Sequence, residues 1–258
     1  MPRKLVVTKP VDKKLVGNLQ ALNLQIPSLQ IPNKPEQAAG HAELFNLCNV
    51  NLSYQKLPVL QGVSLQIKTG ERIALVGKSG VGKSTLLCAL RDQLPTGLAW
   101  CPQQSGLVSV LSTFHNIYMG GLHRHGAVYN VINLLKPWPK AVSEVTALAE
   151  QLQLEKHLFD PVETLSGGQV QRVAIGRAMY QQQSVFLGDE PFSAIDEYQT
   201  EDLFQLISER HQTVVLALHD IELALRTCQR IVGLKDGAIV LDAPSAALTT
   251  DDLAELYI

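Results

Sequence analysis

The sequence predicts an α/β fold: a mostly parallel sheet covered on both faces, with an antiparallel β lobe and a helical insert. Three observations carry this. The runs at 72–76, 185–187 and 214–218 are apolar without alternation, as strands buried on both faces of a parallel sheet require. Residues 45–53 and 60–67 do alternate apolar and polar, which suits half-buried antiparallel strands. Residues 143–154 place Val145, Leu148, Ala149 and Leu152 at helical spacing.

Taken in chain order, residues 1–43 stand apart. They hold five prolines and the doublet Leu24-Gln25-Ile26-Pro27 and Leu29-Gln30-Ile31-Pro32, which prevents a long helix and favours extended chain. A flexible or surface-draped extension is expected here, with a docking strand for a partner as the alternative. Residues 44–258 form the main domain. Its core lobe is made of 44–105 and 181–258, and 106–180 is the helical insert, with a loop through Pro137, Trp138 and Pro139 before its helix at 143–154. The two stretches 231–234 and 239–241, separated by Lys235, Asp236 and Gly237, predict a hairpin with an Asp-Gly turn. Residues 251–257 predict a short amphipathic helix packed on the core.

Composition narrows the class. The 258 residues carry 22 Lys and Arg against 24 Asp and Glu, a net charge of −2, so no basic footprint of a nucleic-acid partner exists. Hydrophobic residues make up 46%, which excludes a disordered chain. No apolar run reaches the roughly 18 residues that a bilayer span needs, and no apolar segment follows the basic start as in a secretory signal. Cys48, Cys88, Cys101 and Cys228 form no C-x-x-C pair and are expected to be buried thiols of a reducing compartment.

The chemistry begins at the end of the first buried strand. Gly77-Lys78-Ser79-Gly80-Val81-Gly82-Lys83-Ser84-Thr85 is a G-x-x-x-x-G-K-[ST] phosphate loop with a strand before it and a helix after it. Its glycines let backbone N–H groups close around phosphates, and the helix beginning near Lys83 adds its dipole. Lys83 would meet the β- and γ-phosphates and Ser84 would ligate Mg²⁺. A chance match at this length arises in about one chain in a hundred, so nucleotide binding and a phosphate-loop NTPase core are expected. A second phosphate-suited helix start lies at Leu165-Ser166-Gly167-Gly168-Gln169, before a helix expected at 170–180. One nucleotide has no use for two such sites in one chain, so the second is expected to cap the nucleotide held by another subunit.

With these motifs in hand, the chain resembles the ATPase subunits of ATP-binding-cassette (ABC) transporters over roughly 44–242, L-S-G-G-Q being that family's signature. The resemblance implies ATP and Mg²⁺ as ligands and a role for each matching residue. Asp189 holds Mg²⁺ together with Ser84, and Glu190 polarises the attacking water. Gln103 senses Mg²⁺ and the membrane partner, although Gln104 beside it leaves the assignment open by one position. His219 contacts the γ-phosphate, Asp196 belongs to the loop after the Asp-Glu pair, and Tyr54 sits against adenine. Gly188 and Ile195 depart from the family's usual aliphatic residue and Leu, leaving the chemistry in place.

The same resemblance implies a head-to-tail homodimer with Lys83 of one copy facing Ser166 and Gly168 of the other. It implies integral membrane permease subunits, a separate solute-binding protein, and a peripheral location on the cytoplasmic face of the inner membrane. Stretches 173–178, 219–226 and 230–237 are similar to phosphonate-type importer ATPases, which points to import of phosphonate or a related small oxyanion. A motor for another solute and a soluble ABC ATPase remain the alternatives. Between Lys83 and Ser166 no heptad run occurs and only one phosphate loop is present, unlike the soluble DNA-repair and translation relatives. His115, His123 and His125 suggest a metal site only weakly, and a solvent-facing loop is the simpler expectation.

Overall fold

The structure is a computed structural model that describes residues 42–258, so the proline-rich doublet lies outside the described residues. Strands β1 (Glu43–Tyr54) and β2 (Leu57–Lys68) pair antiparallel in a two-stranded sheet of their own. Gln55 and Lys56, both at positive φ, turn one into the other, the geometry of a type I′ hairpin. This is the antiparallel lobe that the alternation at 45–53 and 60–67 predicts.

The main sheet has six strands: β3 (Arg72–Val76), β4 (Leu98–Cys101), β5 (Val185–Asp189), β6 (Thr213–Ala217), β7 (Arg230–Lys235) and β8 (Ala238–Pro244). Their order is β4-β5-β6-β3-β7-β8, parallel except for the β7–β8 hairpin. Asp236 and Gly237 turn that hairpin at positive φ, as the Asp-Gly pair predicts. The apolar runs belong to this sheet for a visible reason. Ile73 and Leu75 of β3 enter one buried cluster, while Ala74 and Val76 enter the other. Val215 and Ala217 of β6 likewise face one side, Val214 and Leu216 the other. Successive strand side chains point to opposite faces, so a strand with a core on each side must be apolar throughout.

One face is covered by the β1–β2 lobe and by α1 (Lys83–Gln93), through Leu86, Leu87 and Leu90. The other is covered by helices that include α2 (Thr113–Tyr118), α4 (Pro139–Gln151), α5 (Gly167–Met179), α6 (Glu197–Arg210) and α7 (Ile221–Thr227). Helices α2, α3 (Ala127–Leu135), α4 and α5 all fall between β4 and β5, where the sequence suggests an insert. The chain closes with α8 (Thr250–Ala254) and a 3-10 turn (Glu255–Tyr257), whose Leu253 and Leu256 are buried.

Three expectations need correction. Helix α4 begins at Pro139, not near 143: Pro139 stands in its first turn, where a missing N–H costs nothing. Helix α5 begins at Gly167, because Ser166 and Gln169 form a reciprocal capping box that starts the helix ahead of the apolar run. The thiols of Cys101 and Cys228 are buried, but Cys48 is exposed and Cys88 half-buried. Cys48 lies on the β1–β2 ribbon, whose burial alternates and leaves its outer positions open.

Candidate nucleotide site

Strand register assembles the site. Leu75 of β3 pairs with Ala217 of β6, and Ala217 pairs with Asp189 of β5. One row across three strands therefore delivers Gly77, His219 and Glu190 within two residues of its end. Ligands bind at such carboxyl ends of parallel strands in open α/β sheets. Strand β4 adds the fourth contribution, since Cys101 pairs with Gly188 and Gln103 follows two residues later.

The phosphate loop departs from β3 at Gly77, where φ is 142° and a Cβ would lie 2.3 Å from the Leu234 carbonyl oxygen. Only glycine fits this close approach. Gly82, at φ 116°, caps α1, and a Cβ there would strike Leu60 at 2.8 Å, so the β1–β2 lobe presses on the loop. No side chain caps α1 and no acidic residue occupies its first turn, which leaves the N–H groups at its start for an anion. Lys83 is buried and its ammonium donates to the carbonyls of Gly77 (2.7 Å) and Lys78 (3.2 Å). Burial pulls its pKa below the ordinary lysine value, while the nearby carboxylates of Glu190 and Asp189 pull the other way. Two of its three N–H bonds are used, and the third is free to meet a ligand.

Asp189 is buried at the end of β5, and burial raises its carboxyl pKa above the usual range, with a hydrogen bond from Ser84 and the charge of Lys83 opposing. Its Oδ1 is buried without any hydrogen-bond partner. An acceptor left bare beside a serine hydroxyl, at the start of an uncapped helix, is a hard oxygen set of the kind Mg²⁺ takes. The residues present fit that ion. Among the described residues no three His, Cys, Asp or Glu side chains cluster as a metal cage, so such an ion would rely on hydroxyl and ligand oxygens as well. His115 instead bonds Ser112 and the Leu134 carbonyl, His123 meets Gln183, and the His125 ring lies tilted against Tyr129.

Glu190 is the hub. It is held at φ 51°, a conformation that costs a non-glycine residue about 1 kcal/mol or more and marks functional positions. Its Oε1 lies 2.5 Å from His219 Nε2, and its Oε2 accepts from Gln103 Nε2 at 3.2 Å. Three residues from three strand ends, far apart in sequence, are thus in direct contact. Both glutamines are exposed, and the contact with Glu190 falls on Gln103. Tyr54 ends β1 with its side chain 63% exposed, on the same lobe that touches Gly82.

The remaining expected residues lie elsewhere in one copy of the chain. Ser166 and Gln169 cap α5, and Asp196 caps α6 by accepting from the Gln199 N–H at 3.1 Å. Ser166, Gly167 and Asp196 are exposed. Among the described residues no hydrogen bond joins 166–169 or Asp196 to the phosphate loop.

Sequence reasoning missed three connectors. Gln171 of α5 donates to the Glu190 carbonyl and Ser193 Oγ, both at 2.9 Å, and accepts from the Ala194 N–H at 2.5 Å. Arg177, further along α5, donates to the carbonyls of Ser105 and Gly106 just after Gln103. Tyr257 reaches Gly77 from the far end of the chain. The third link has no local sequence signal; Gln171 at least stands beside the signature.

Comparison with known proteins agrees with this geometry. The family described as ABC transporter matches residues 60–193. The phosphonates import ATP-binding protein PhnC of Caulobacter vibrioides is 34% identical over 232 residues, 77% of this chain and 87% of that one. Its counterpart in Pseudomonas fluorescens is 36% identical over 227 residues, 77% and 85% of the two chains. Among solved structures, the dimeric structure of MJ0796, a bacterial ABC transporter cassette, superposes with TM-score 0.67 at 26% identity, covering 78% of this chain and 98% of that one. The same cassette in a dimeric post-hydrolysis state bound to ADP and Pi gives 0.63 at 27% identity, with 78% and 98% covered.

Proposed function

The chain belongs to the ABC transporter family as an ATP-binding ATPase subunit, and from that premise we propose that it powers import of a phosphonate or a related small oxyanion. The contact of Glu190 with both His219 and Gln103 beside the phosphate loop carries the mechanism. The cargo follows from the relatives, which are phosphonate import ATP-binding proteins.

In this mechanism the β- and γ-phosphates of ATP lie against the N–H groups of 80–85 and the Lys83 ammonium, with Tyr54 stacking on adenine. Ser84, Asp189 and Gln103 would hold Mg²⁺, which supplies positive charge against the phosphate oxygens. Glu190 accepts a hydrogen bond from the attacking water and polarises it. His219 orients Glu190 and reaches the γ-phosphate. Catalysis is positioning plus charge stabilisation. A second copy of the chain, turned head to tail, presents Ser166, Gly167, Gly168, Gln169 and Asp196 to the same nucleotide. The exposure of Ser166, Gly167 and Asp196 in a single copy supports that assignment, as does the dimeric state of the similar cassette. ATP then closes the dimer and hydrolysis reopens it.

No helix among the described residues is long and apolar enough to cross a membrane. In this reading separate permease subunits carry the pathway and a solute-binding protein delivers the cargo. Helix α3 in the insert exposes Val128, Val131, Ile132 and Leu135. That apolar face suits a permease at the cytoplasmic face of the inner membrane and disfavours a motor acting free in solution. The test is reconstitution with the membrane protein that co-purifies, in liposomes loaded with MgATP. ATP-dependent accumulation of radiolabelled methylphosphonate is expected. Transport of another solute with none of phosphonate would end the cargo assignment.

A further inference from the structure

The end of the chain forms a strap across β7. Leu253 and Leu256 anchor it in the core, and Gly233 of β7 leaves the space, since a Cβ there would lie 2.8 Å from Leu256 Cδ1. Two lysines pin its backbone: Lys235 donates to the Glu255 carbonyl at 2.9 Å, and Lys78 to the Ile258 backbone oxygen at 2.5 Å. Between the pins, the Tyr257 hydroxyl accepts from the Gly77 N–H at 3.2 Å and donates to the His219 carbonyl at 3.5 Å.

Both partners lie just past the sheet. The β3–β7 pairing ends at Val76 and Gly233, and β6 ends at Ala217. Neither the Gly77 N–H nor the His219 carbonyl therefore has a place in the strand ladder, and one hydroxyl ties them together. Burial raises the Tyr257 phenol above its ordinary pKa, which keeps the proton it must donate.

We propose that Tyr257 is a positioning residue for ATP hydrolysis, fixing the His219 main chain against the start of the phosphate loop and so setting the contact of His219 with Glu190. This rests on the roles proposed above for Glu190 and His219. Removing the hydroxyl leaves the ring and its packing in place but lets the His219 backbone drift, and sub-ångström to ångström misplacement of a reacting group costs up to about a hundredfold in rate.

The test uses the full chain with Tyr257→Phe. It is expected to lower kcat about tenfold, with KM for ATP within about twofold because Lys83 still holds the Gly77 and Lys78 carbonyls. With ¹⁵N-histidine labelling, the His219 ring resonance, assigned by its loss in His219→Ala, is expected to shift and broaden in Tyr257→Phe. A kcat within twofold of the unsubstituted chain, or an unmoved His219 resonance, overturns the proposal. His219→Ala alone separates the two levels. If it hydrolyses ATP normally, the role of His219 is wrong. If it is inactive while Tyr257→Phe is normal, only the inference about Tyr257 falls.

Discussion

Gln171 is where α5 grips the loop that follows Glu190, and Gln171→Ala breaks that grip. Its side chain makes three hydrogen bonds to the stretch 190–194, each with a net worth of about 0.5–1.5 kcal/mol. The simple sum is about 1.5–4.5 kcal/mol, but Ser193 and Ala194 are exposed and water replaces part of what is lost. About 2 kcal/mol of stability remains at stake, or a fall of roughly 4–8 °C in unfolding temperature for a domain this size. Catalysis suffers as well, because Glu190 holds a left-handed backbone conformation that persists only while its surroundings enforce it. Freed at its carbonyl, it relaxes away from His219, and kcat is expected to drop about 10- to 100-fold. Steady-state phosphate release and urea unfolding on the same preparation measure both. A variant with kcat within twofold and unchanged stability would refute the view that α5 holds Glu190 in place.

The other predictions concern charge. His211 is buried against Phe186, its ring nitrogen Nδ1 on the Gln183 carbonyl, and burial drives its pKa from 6.5 down to about 4. Between those values the unfolded chain holds the proton and the folded one does not, so stability falls as pH drops through that window. Over about 2.5 units the loss is roughly 3 kcal/mol. His211→Gln should flatten that part of the curve in urea unfolding from pH 7 to 4.5; parallel curves for the two proteins would contradict it. Asp189 carries the opposite sign. Its raised pKa means the ionised carboxylate burdens the fold above the usual carboxylate range, so without magnesium Asp189→Asn should unfold at an equal or higher temperature. The extra stabilisation that MgATP gives over ATP with EDTA should vanish in the same variant. An undiminished magnesium effect would remove Asp189 from the metal site.

How much of this was legible in the sequence depends on the distance between cause and effect along the chain. The phosphate loop could be read because strand, glycines and helix are contiguous at 72–93, and each residue's duty follows from its immediate neighbours. The double-faced sheet could be read because burial on both sides erases alternation. The start of α4 was missed because Pro137 and Pro139 suggest a break, whereas a proline in a first helical turn starts one. Cys48 was misplaced because a two-stranded ribbon buries only one of its faces. The contact of Glu190 with Gln103 and His219 was foreshadowed by motif order, but its geometry depends on the register of four strands. The contact of Tyr257 left no pattern at all, and that of Gln171 only its place beside the signature. Gly77 and Tyr257 are 180 residues apart, and only the folded β7 brings the strap across.

The central claim is that Glu190 polarises water for hydrolysis while the nucleotide itself joins two copies of the chain. Glu190→Gln keeps the shape and one donor–acceptor pair but removes the carboxylate, so ATP should still bind. Turnover is expected to fall by about 10²- to 10⁴-fold, and size-exclusion chromatography with ATP should show a stable dimer that ADP does not support. Hydrolysis at the normal rate by Glu190→Gln, or an inactive variant that stays monomeric with saturating ATP, would contradict the account.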